Sequence, residues 1–546
     1  MKVTKTYKTG ITALLLLAAL SGCKKLDLLP ENSFTELNYW TSEAKVNSIL
    51  NTAYSQMSNS DYFFSNEGLS DNAFSGRGDF NGSTSIAAGT YDPALGRIKS
   101  EWQFHYEGIK TCNLIIENID QVPMDEGIKN RMRAEARFIR ALKHFQLMTW
   151  FGDIPLLRTD PTREEALEVS RSPKAEALDF ILGELEEIVP MLPTNTSYAD
   201  ADKGRITRGA VIALKARVYL YENRWQDVAT TCERLIQTDE NGSYQLFPNY
   251  EGLFLPQNQN NSEVILDIQY VPEFRVWTNM FDLAPISVGA RLNNLAPTQE
   301  LVDSYRMLNG KAINENESGY NEDDPYTNRD PRMAFTIVHH LHEWRRPDGS
   351  TQTIYTKPGS TPTGANSSDE YAPGTVSSPT GYYLRKYYDP THGPNFRAGL
   401  NLILIRYADI LLMYAEARNE LAQLNQDEWD QSIRALRTRS GFTAEEALAY
   451  QPNWTQEDIR QIIRNERRVE LAMEGLRIFD IRRWQTAEEV LNGWVHGAKF
   501  GPTNEDNGYI RANFRTFDPN RHYLWPIPRD ERNLNNNLTQ NPGWEN

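Results

Sequence analysis

Apolar positions recur along most of this chain at helical spacing. Ala134, Phe138, Ala141, Leu142, Phe145 and Met148 fall on one face of a helix over 131–150, and Gly152 and Pro155 follow as stop signals. The same spacing predicts helices over 36–54, 98–119 and 175–189, the last closed by Pro190 and Pro193. Ala210, Leu214, Val218 and Tyr221 share a face. Asn223-Arg224 makes a turn, and Val228, Ala229, Cys232, Leu235 and Ile236 share a face of the helix after it. A small-residue helix, a short turn and an antiparallel partner form the unit of tetratricopeptide repeats. A second such pair is expected from 401–424 with 428–440. Thr455, three residues before Asp458, is a capping-box pattern. It opens a helix whose apolar side runs through Ile459, Ile462, Ile463, Val469, Ala472, Met473 and Leu476, with Trp484 at the end of its basic tail.

Between these helices the texture changes. Residues 58–97 are polar and rich in Gly and Ser, yet carry Tyr62, Phe63, Phe64, Phe74, Phe80 and Tyr91. The segment is too long for a plain connector in a compact domain. Short strands are expected at 263–270, 334–342 and 382–388, and 347–379 is Pro-, Gly-, Ser- and Thr-rich loop. The fold class expected is mainly α: helical hairpins interrupted by long aromatic loops with a few short strands, in which the pairs are too degenerate for periodicity alone to establish a repeat solenoid. Residues 36–546 are expected to form one unit, with loops inserted at roughly 58–97 and 263–400.

One apolar run has a different meaning. Ile11 to Leu20 carries no charge, is preceded by Lys2, Lys5 and Lys8, and is too short to span a bilayer. It reads as a secretory signal peptide over 1–22. Leu20-Ser21-Gly22-Cys23 resembles the bacterial lipoprotein box, in which the cysteine is acylated and the chain is cut just before it. The expectation is lipidation at Cys23, a tether over 23–35 and a water-soluble body held at a membrane by acyl chains, since a single chain anchors only marginally.

Composition narrows the partners. The formal net charge is -16, from 57 basic and 73 acidic residues, and loss of residues 1–22 removes three more lysines. An acidic chain has no general attraction for nucleic acid or anionic lipid. Only Cys23, Cys112 and Cys232 occur, which excludes a disulfide framework. The last two sit in apolar helical contexts and are expected as buried free thiols, with a disulfide between them as the alternative if the fold brings them close.

Several blocks in order resemble the SusD/RagB family. They are Asn328-Arg329-Asp330-Pro331-Arg332; Leu404-Ile405-Arg406-Tyr407-Ala408-Asp409 with Glu416; Asn465-Glu466-Arg467-Arg468-Val469-Glu470; Glu474-Gly475-Leu476-Arg477; Asp480-Ile481-Arg482-Arg483-Trp484; and Leu524-Trp525-Pro526-Ile527-Pro528. The resemblance runs from Cys23 to the last residues. It implies a tetratricopeptide-like scaffold of helical pairs carrying an irregular, loop-rich ligand-binding half, in an outer-membrane lipoprotein facing the cell exterior that binds a glycan and delivers it to a TonB-dependent transporter of the SusC type, without catalysis. Surface export in such families accompanies acidic residues after the lipidated cysteine, whereas Lys24-Lys25-Leu26-Asp27 supplies one acid. The block charges themselves read as ion pairs between helices.

Sugar rings present apolar C–H faces and a hydroxyl rim, so a site for them needs flat aromatic platforms beside planar polar groups. Two loops offer that mixture: Asp71, Asn72, Phe74, Arg77, Phe80 and Asn81, then Tyr270, Phe274, Trp277, Arg291 and Asn293, with Trp344 and Tyr371 in reserve. The resemblance places ligand sites in an early loop and ahead of the Pro297-Thr298-Gln299-Glu300-Leu301 block. His339, His340, His342 and Glu343 raise a metal site, but on a strand His340 and His342 face away from His339. Asn314-x-Asn316-x-Ser318-Gly319 starts like a calcium loop, yet Pro325 holds the position of the bidentate Glu, so a turn is expected. No cofactor is expected. G-x-S-x-G, H-E-x-x-H and P-loop patterns are absent. A glycan hydrolase and a protein- or peptide-binding helical scaffold remain the alternatives.

Overall fold

A computed structural model describes residues 40–545. The signal peptide, Cys23 and the tether lie outside the described residues. The long helices form a row in which each packs on the next: α1 (Glu43–Ser55), α2 (Gly96–Asn118), α3 (Glu126–Phe151), α4 (Lys174–Ile188), α5 (Arg208–Tyr221), α6 (Trp225–Ile236), α7 (Tyr407–Glu420) and α8 (Gln456–Glu470), followed by the short α9 (Arg477–Arg483). This is the mainly helical, tetratricopeptide-like architecture that the resemblance implies.

Local chemistry sets the boundaries. Asp125 accepts a hydrogen bond from the Ile128 N–H and starts α3 five residues before the expected 131. Gly152 ends it at φ 72°, where a Cβ would be strained. Thr207 caps α5, and Asn223 takes φ 53° in the turn to α6. Thr455 and Asp458 close the expected capping box of α8. The inner side chains of α2 to α7 form one core, in which Phe138, Leu147, Ile181, Leu214 and Leu220 are buried. Each such side chain contributes about 1.5–3 kcal/mol of burial free energy. Cys112 and Cys232 are in this core and free, and burial pushes the Cys112 thiol up to about 12.

The row is interrupted between α6 and α7. The chain leaves it, builds a second core and returns. Its exit and re-entry are stapled by an antiparallel ribbon of β2 (Val264–Ile268) and β4 (Leu402–Arg406), with Val264 opposite Arg406 and Ile268 opposite Leu402. The second core collects aromatics, among them Phe63, Phe64, Tyr250, Trp277, Trp344, Tyr383 and Tyr387. A shorter ribbon pairs β1 (Ala73–Phe74) with β3 (Ala296–Pro297) and draws the early loop onto this half.

Several expected elements differ. Residues 402–406 are strand, so the helix expected over 401–424 begins at Tyr407. The run Leu402-Ile403-Leu404-Ile405 is apolar in both readings, and pairing with β2 decides for strand. Residues 331–336 are helical with Asp330 as cap, and the strand expected over 334–342 shrinks to Ile337–Val338. Leu341, at φ 64°, turns the chain into a separate ribbon, His342–Arg345 with Thr351–Ile354. The strand expected over 382–388 is only Tyr383–Leu384, because Tyr387 sits at φ 66°. The helix of 455–476 stops at Glu470, and Met473 at φ 63° bends the chain into α9. The first helix begins at Glu43 rather than 36, and of the intervening residues only 40–42 are described. Helices Ser60–Ser65 and Ser83–Ala87 fall inside the segment read as loop.

Candidate functional site

The charges of the sequence blocks are the frame on which the loops hang. Arg406, at the end of β4, bonds Glu263 at 2.7 Å, Glu470 at 2.6 Å and Glu474 at 2.8 Å. Arg332 meets Asp330 at 2.7 Å, Glu466 at 2.7 Å and Glu470 at 2.8 Å. Lys386 joins Glu474, Arg437 joins Glu466, and Arg439 joins Glu263 and Glu470. Five cations meet five carboxylates, all buried, where the loop-rich half contacts the helix row. Burial pushes the Glu470 carboxyl up, but the guanidiniums of Arg439, Arg406 and Arg332 overcome it and hold the group well below the usual carboxylate range. A second cluster links Asp409, Arg467, Asp480, Arg483 and Glu416, with the Trp484 indole N–H donating to Glu416.

The same blocks clamp the early loop. Arg477 holds Asp71 through two bonds of 2.7 and 2.9 Å, and Arg468 reaches it at 3.0 Å. Burial opposes ionisation of Asp71, and the two guanidiniums outweigh it, so its carboxyl is well below its ordinary value. Asn72 donates to Glu67 and accepts from Arg468. Burial raises Glu67 to about 7, against bonds from Asn72 and the Gly475 N–H. Asp71 and Asn72, expected as ligand contacts, are therefore buried anchors of the loop.

Other expected contacts are also interior. Trp277 is 3% exposed, donates its indole N–H to the Leu400 carbonyl at 2.7 Å and lies against Phe64. Its face is not available to a sugar. Tyr270 is buried under Arg275, whose guanidinium lies 4.8 Å from the ring centre. Phe74 is in the second core, Asn293 is fully buried, and the reserve Trp344 packs on Tyr388. The physical reason is common to all: the loop half buries its own aromatics as a core, and no periodicity marks which loop ring points inward.

What remains exposed converges. Beyond the β1–β3 ribbon, Arg77 donates to the Gly374 carbonyl at 2.7 Å and Asn293 N–H donates to Val376 O at 2.9 Å. At Gly76 a Cβ would come within 2.3 Å of the Pro379 ring, so only glycine permits this approach. Three segments, 74–82, 281–294 and 374–379, thus form one surface. Half-exposed Arg77, Phe80, Phe281 and Asn294 share it with exposed Arg291 and Val376. Arg291 binds Asp282 by two bonds of 2.9 and 2.6 Å and lies 5.4 Å from the Phe281 ring centre. Asp79, at φ 48°, accepts from the Thr84 N–H and Ser85 hydroxyl and fixes the loop, and Asn81 bonds Ser65. Of the expected residues, Arg77, Phe80, Asn81 and Arg291 are therefore on or beside this patch. Phe281, Asn294 and Val376 were not singled out by sequence; the Phe281–Arg291 spacing of ten carries no local signal. Phe274, 89% exposed, stands on a separate tight turn, where Glu273 takes φ 69°. Tyr371 is half-exposed just ahead of the 374–379 segment.

The histidines do not converge on a metal. His339 stacks on Tyr326, His340 accepts from backbone N–H groups, and no metal-ligand cluster occurs among the described residues. In the calcium-like segment Lys311 bonds the Asn316 carbonyl and Glu317, which fills the turn with a cation of its own.

Both the fold and these blocks define a surface-loop-bearing helical-repeat family. Residues 276–544 match the model of the SusD family, and residues 24–220 match one described as starch-binding associating with outer membrane. The chain belongs to the SusD/RagB family. It is 27% identical to SusD-like protein P2 of Formosa agariphila, over 99% of this chain and 100% of that one. A SusD-like carbohydrate binding protein of Bacteroides fragilis superposes with a TM-score of 0.82 at 28% identity, covering 92% of this chain and all of the other. A second SusD-like protein of that species superposes at 0.77 and 28% identity, over 93% and 98% of the two chains. No described helix is long and apolar enough to cross a membrane.

Proposed function

We propose that this protein is a non-catalytic, lipid-anchored glycan-binding subunit of an outer-membrane importer, which captures an oligosaccharide and passes it to a TonB-dependent transporter of the SusC type. The observation that carries the reading is membership of the SusD family along both halves of the chain, with a carbohydrate-binding relative of the same fold. The patch supports it chemically. Phe80 and Phe281 offer ring faces, and Arg77, Arg291 and Asn294 offer planar hydrogen-bonding groups to a hydroxyl rim. The loops are fixed before ligand arrives, which lowers the ordering cost of binding. Three strongly shifted acids, Asp71, Asp409 and Glu470, are each held by buried arginines, a structural use of charge rather than an acid–base pair in a cleft.

Anchoring through acylated Cys23 would leave this body at the cell exterior. The test is titration of the mature protein with purified neutral oligosaccharides, with product analysis after long incubation and mass analysis of the N-terminal peptide. Binding without change of chain length, and an acyl mass on Cys23, are expected. Cleavage of the glycan, or failure to bind any, would overturn the reading.

A further inference from the structure

We propose that a second pocket in the loop half takes a single neutral pyranose ring and serves as a subsite for a branch or chain end of the captured glycan. This rests on the glycan-binding reading above. The pocket has a volume of about 280 Å³ and is walled by Tyr320, Tyr326, Tyr382, Phe500, Tyr509 and His340. Small-molecule sites run from about 300 to 1,000 Å³, so this one suits one ring or two rather than a chain. It lies next to the patch in sequence and structure: Thr380 bonds the Pro297 carbonyl, and Gly381 packs against Phe500.

The walls are held in place. Tyr326 stacks on His339 at 4.0 Å between ring centres, and its hydroxyl is 3.3 Å from that of Tyr382, which donates to Gln299 at 2.6 Å. The His340 Nδ1 accepts from the N–H groups of Thr356 and Lys357, which leaves its Nε2 open. Four polar groups lining the pocket have no side-chain hydrogen bond among the described residues: the hydroxyls of Tyr320 and Tyr509, the Lys357 ammonium and the Asp323 carboxylate. Burial raises the Tyr320 phenol to about 12, so it stays a neutral donor. Aromatic walls with unspent donors and acceptors at the edge match a ring with C–H faces and a hydroxyl rim.

Charge selects among sugars. The lining carries two lysines and two acids: Lys499 is paired with Glu322 at 2.6 Å, and Lys357 and Asp323 sum to zero without an ion pair between them. The lining has no net positive charge to draw a uronate or sulfate, so the ligand is a neutral pyranose.

The experiment is saturation-transfer NMR on the mature protein. The probes are the methyl pyranosides of glucose, galactose, mannose and xylose, beside glucuronate and galactose 6-sulfate. At least one neutral pyranoside is expected to receive saturation, and Tyr509→Ala to weaken its binding about tenfold or more. Tyr320→Phe, which keeps the ring and loses the hydroxyl, is expected to weaken it several-fold with an unchanged melting temperature. Transfer that survives Tyr509→Ala intact, tighter binding of the anionic sugars, or silence from every pyranoside would overturn the subsite. If the pyranosides are silent while oligosaccharides still bind the wild-type protein, the subsite fails alone. If no oligosaccharide binds either, the function proposed for the protein falls with it.

Discussion

The ionic frame and the exposed patch use the same side chains for opposite ends. In the frame, Arg332, Arg406 and Arg439 are buried against Glu263, Glu466, Glu470 and Glu474, and every charge answers another. On the patch, Arg77 and Arg291 stay at the surface, one tied to a backbone carbonyl and one to Asp282. The frame is fixed by chain segments distant in sequence, so it welds the loop half to the helix row. The patch is fixed mainly by glycines and turns, so its faces stay open to a ligand. Sequence blocks that look functional because they are charged are here the mortar, and the surface proposed to bind ligand is built from residues with no block at all.

That contrast can be broken at its strongest point first. Arg406→Met strands Glu263, Glu470 and Glu474 in the interior and is expected to cost about 3–5 kcal/mol, the penalty of leaving buried charge unpaired; urea unfolding measures it. Trp277→Ala empties a core site and loses an indole hydrogen bond, for a similar loss of about 3–5 kcal/mol. Glycan affinity measured well below its melting temperature should stay near wild type, since the ring touches no exposed surface. Loss of binding in a folded Trp277 variant would move the site inward and erase the contrast.

Acid sharpens the same distinction. Asp71, Asp409 and Glu470 have folded-state values depressed by arginines that outweigh burial. Their stabilisation is present above the unfolded carboxylate range and is lost as pH falls through the folded values, so stability should decline below about pH 4. Asp71→Asn should flatten that acid slope and free the early loop; denaturant midpoints across pH 2–6 report it. Glu67 runs the other way: raised to about 7, it stabilises below its unfolded value and loses that contribution as pH rises through 7. The smallest expected effect is Phe274→Ala, within about 0.5 kcal/mol in stability because the ring is almost wholly exposed.

The helix row was legible because α3, α5, α6 and α8 repeat their apolar positions over several turns and carry caps such as Thr455–Asp458. The ion-pair role of the block charges was legible as well, since many arginines and glutamates recur on neighbouring helical segments. Less could be read where structure is set by distant partners. Leu402–Arg406 reads equally as helix until β2 pairs with it. Trp277 and Phe281 stand four residues apart in one loop, and whether each ring is core or surface depends on Phe64 and Leu400 for the first and Arg291 for the second. The β1–β3 ribbon brings residues 73 and 297 together, and no local pattern announces so long a closure.

The central claim is that ligand is gripped on the patch while the frame only holds it in place. The direct measurement is calorimetric titration of a neutral oligosaccharide that binds the wild-type protein into Arg291→Ala and Phe281→Ala, each checked for an unchanged unfolding midpoint. The account predicts affinity lower by about tenfold or more in both, the loss of a planar hydrogen-bonding group and of an aromatic face. Wild-type affinity in both folded variants would contradict it.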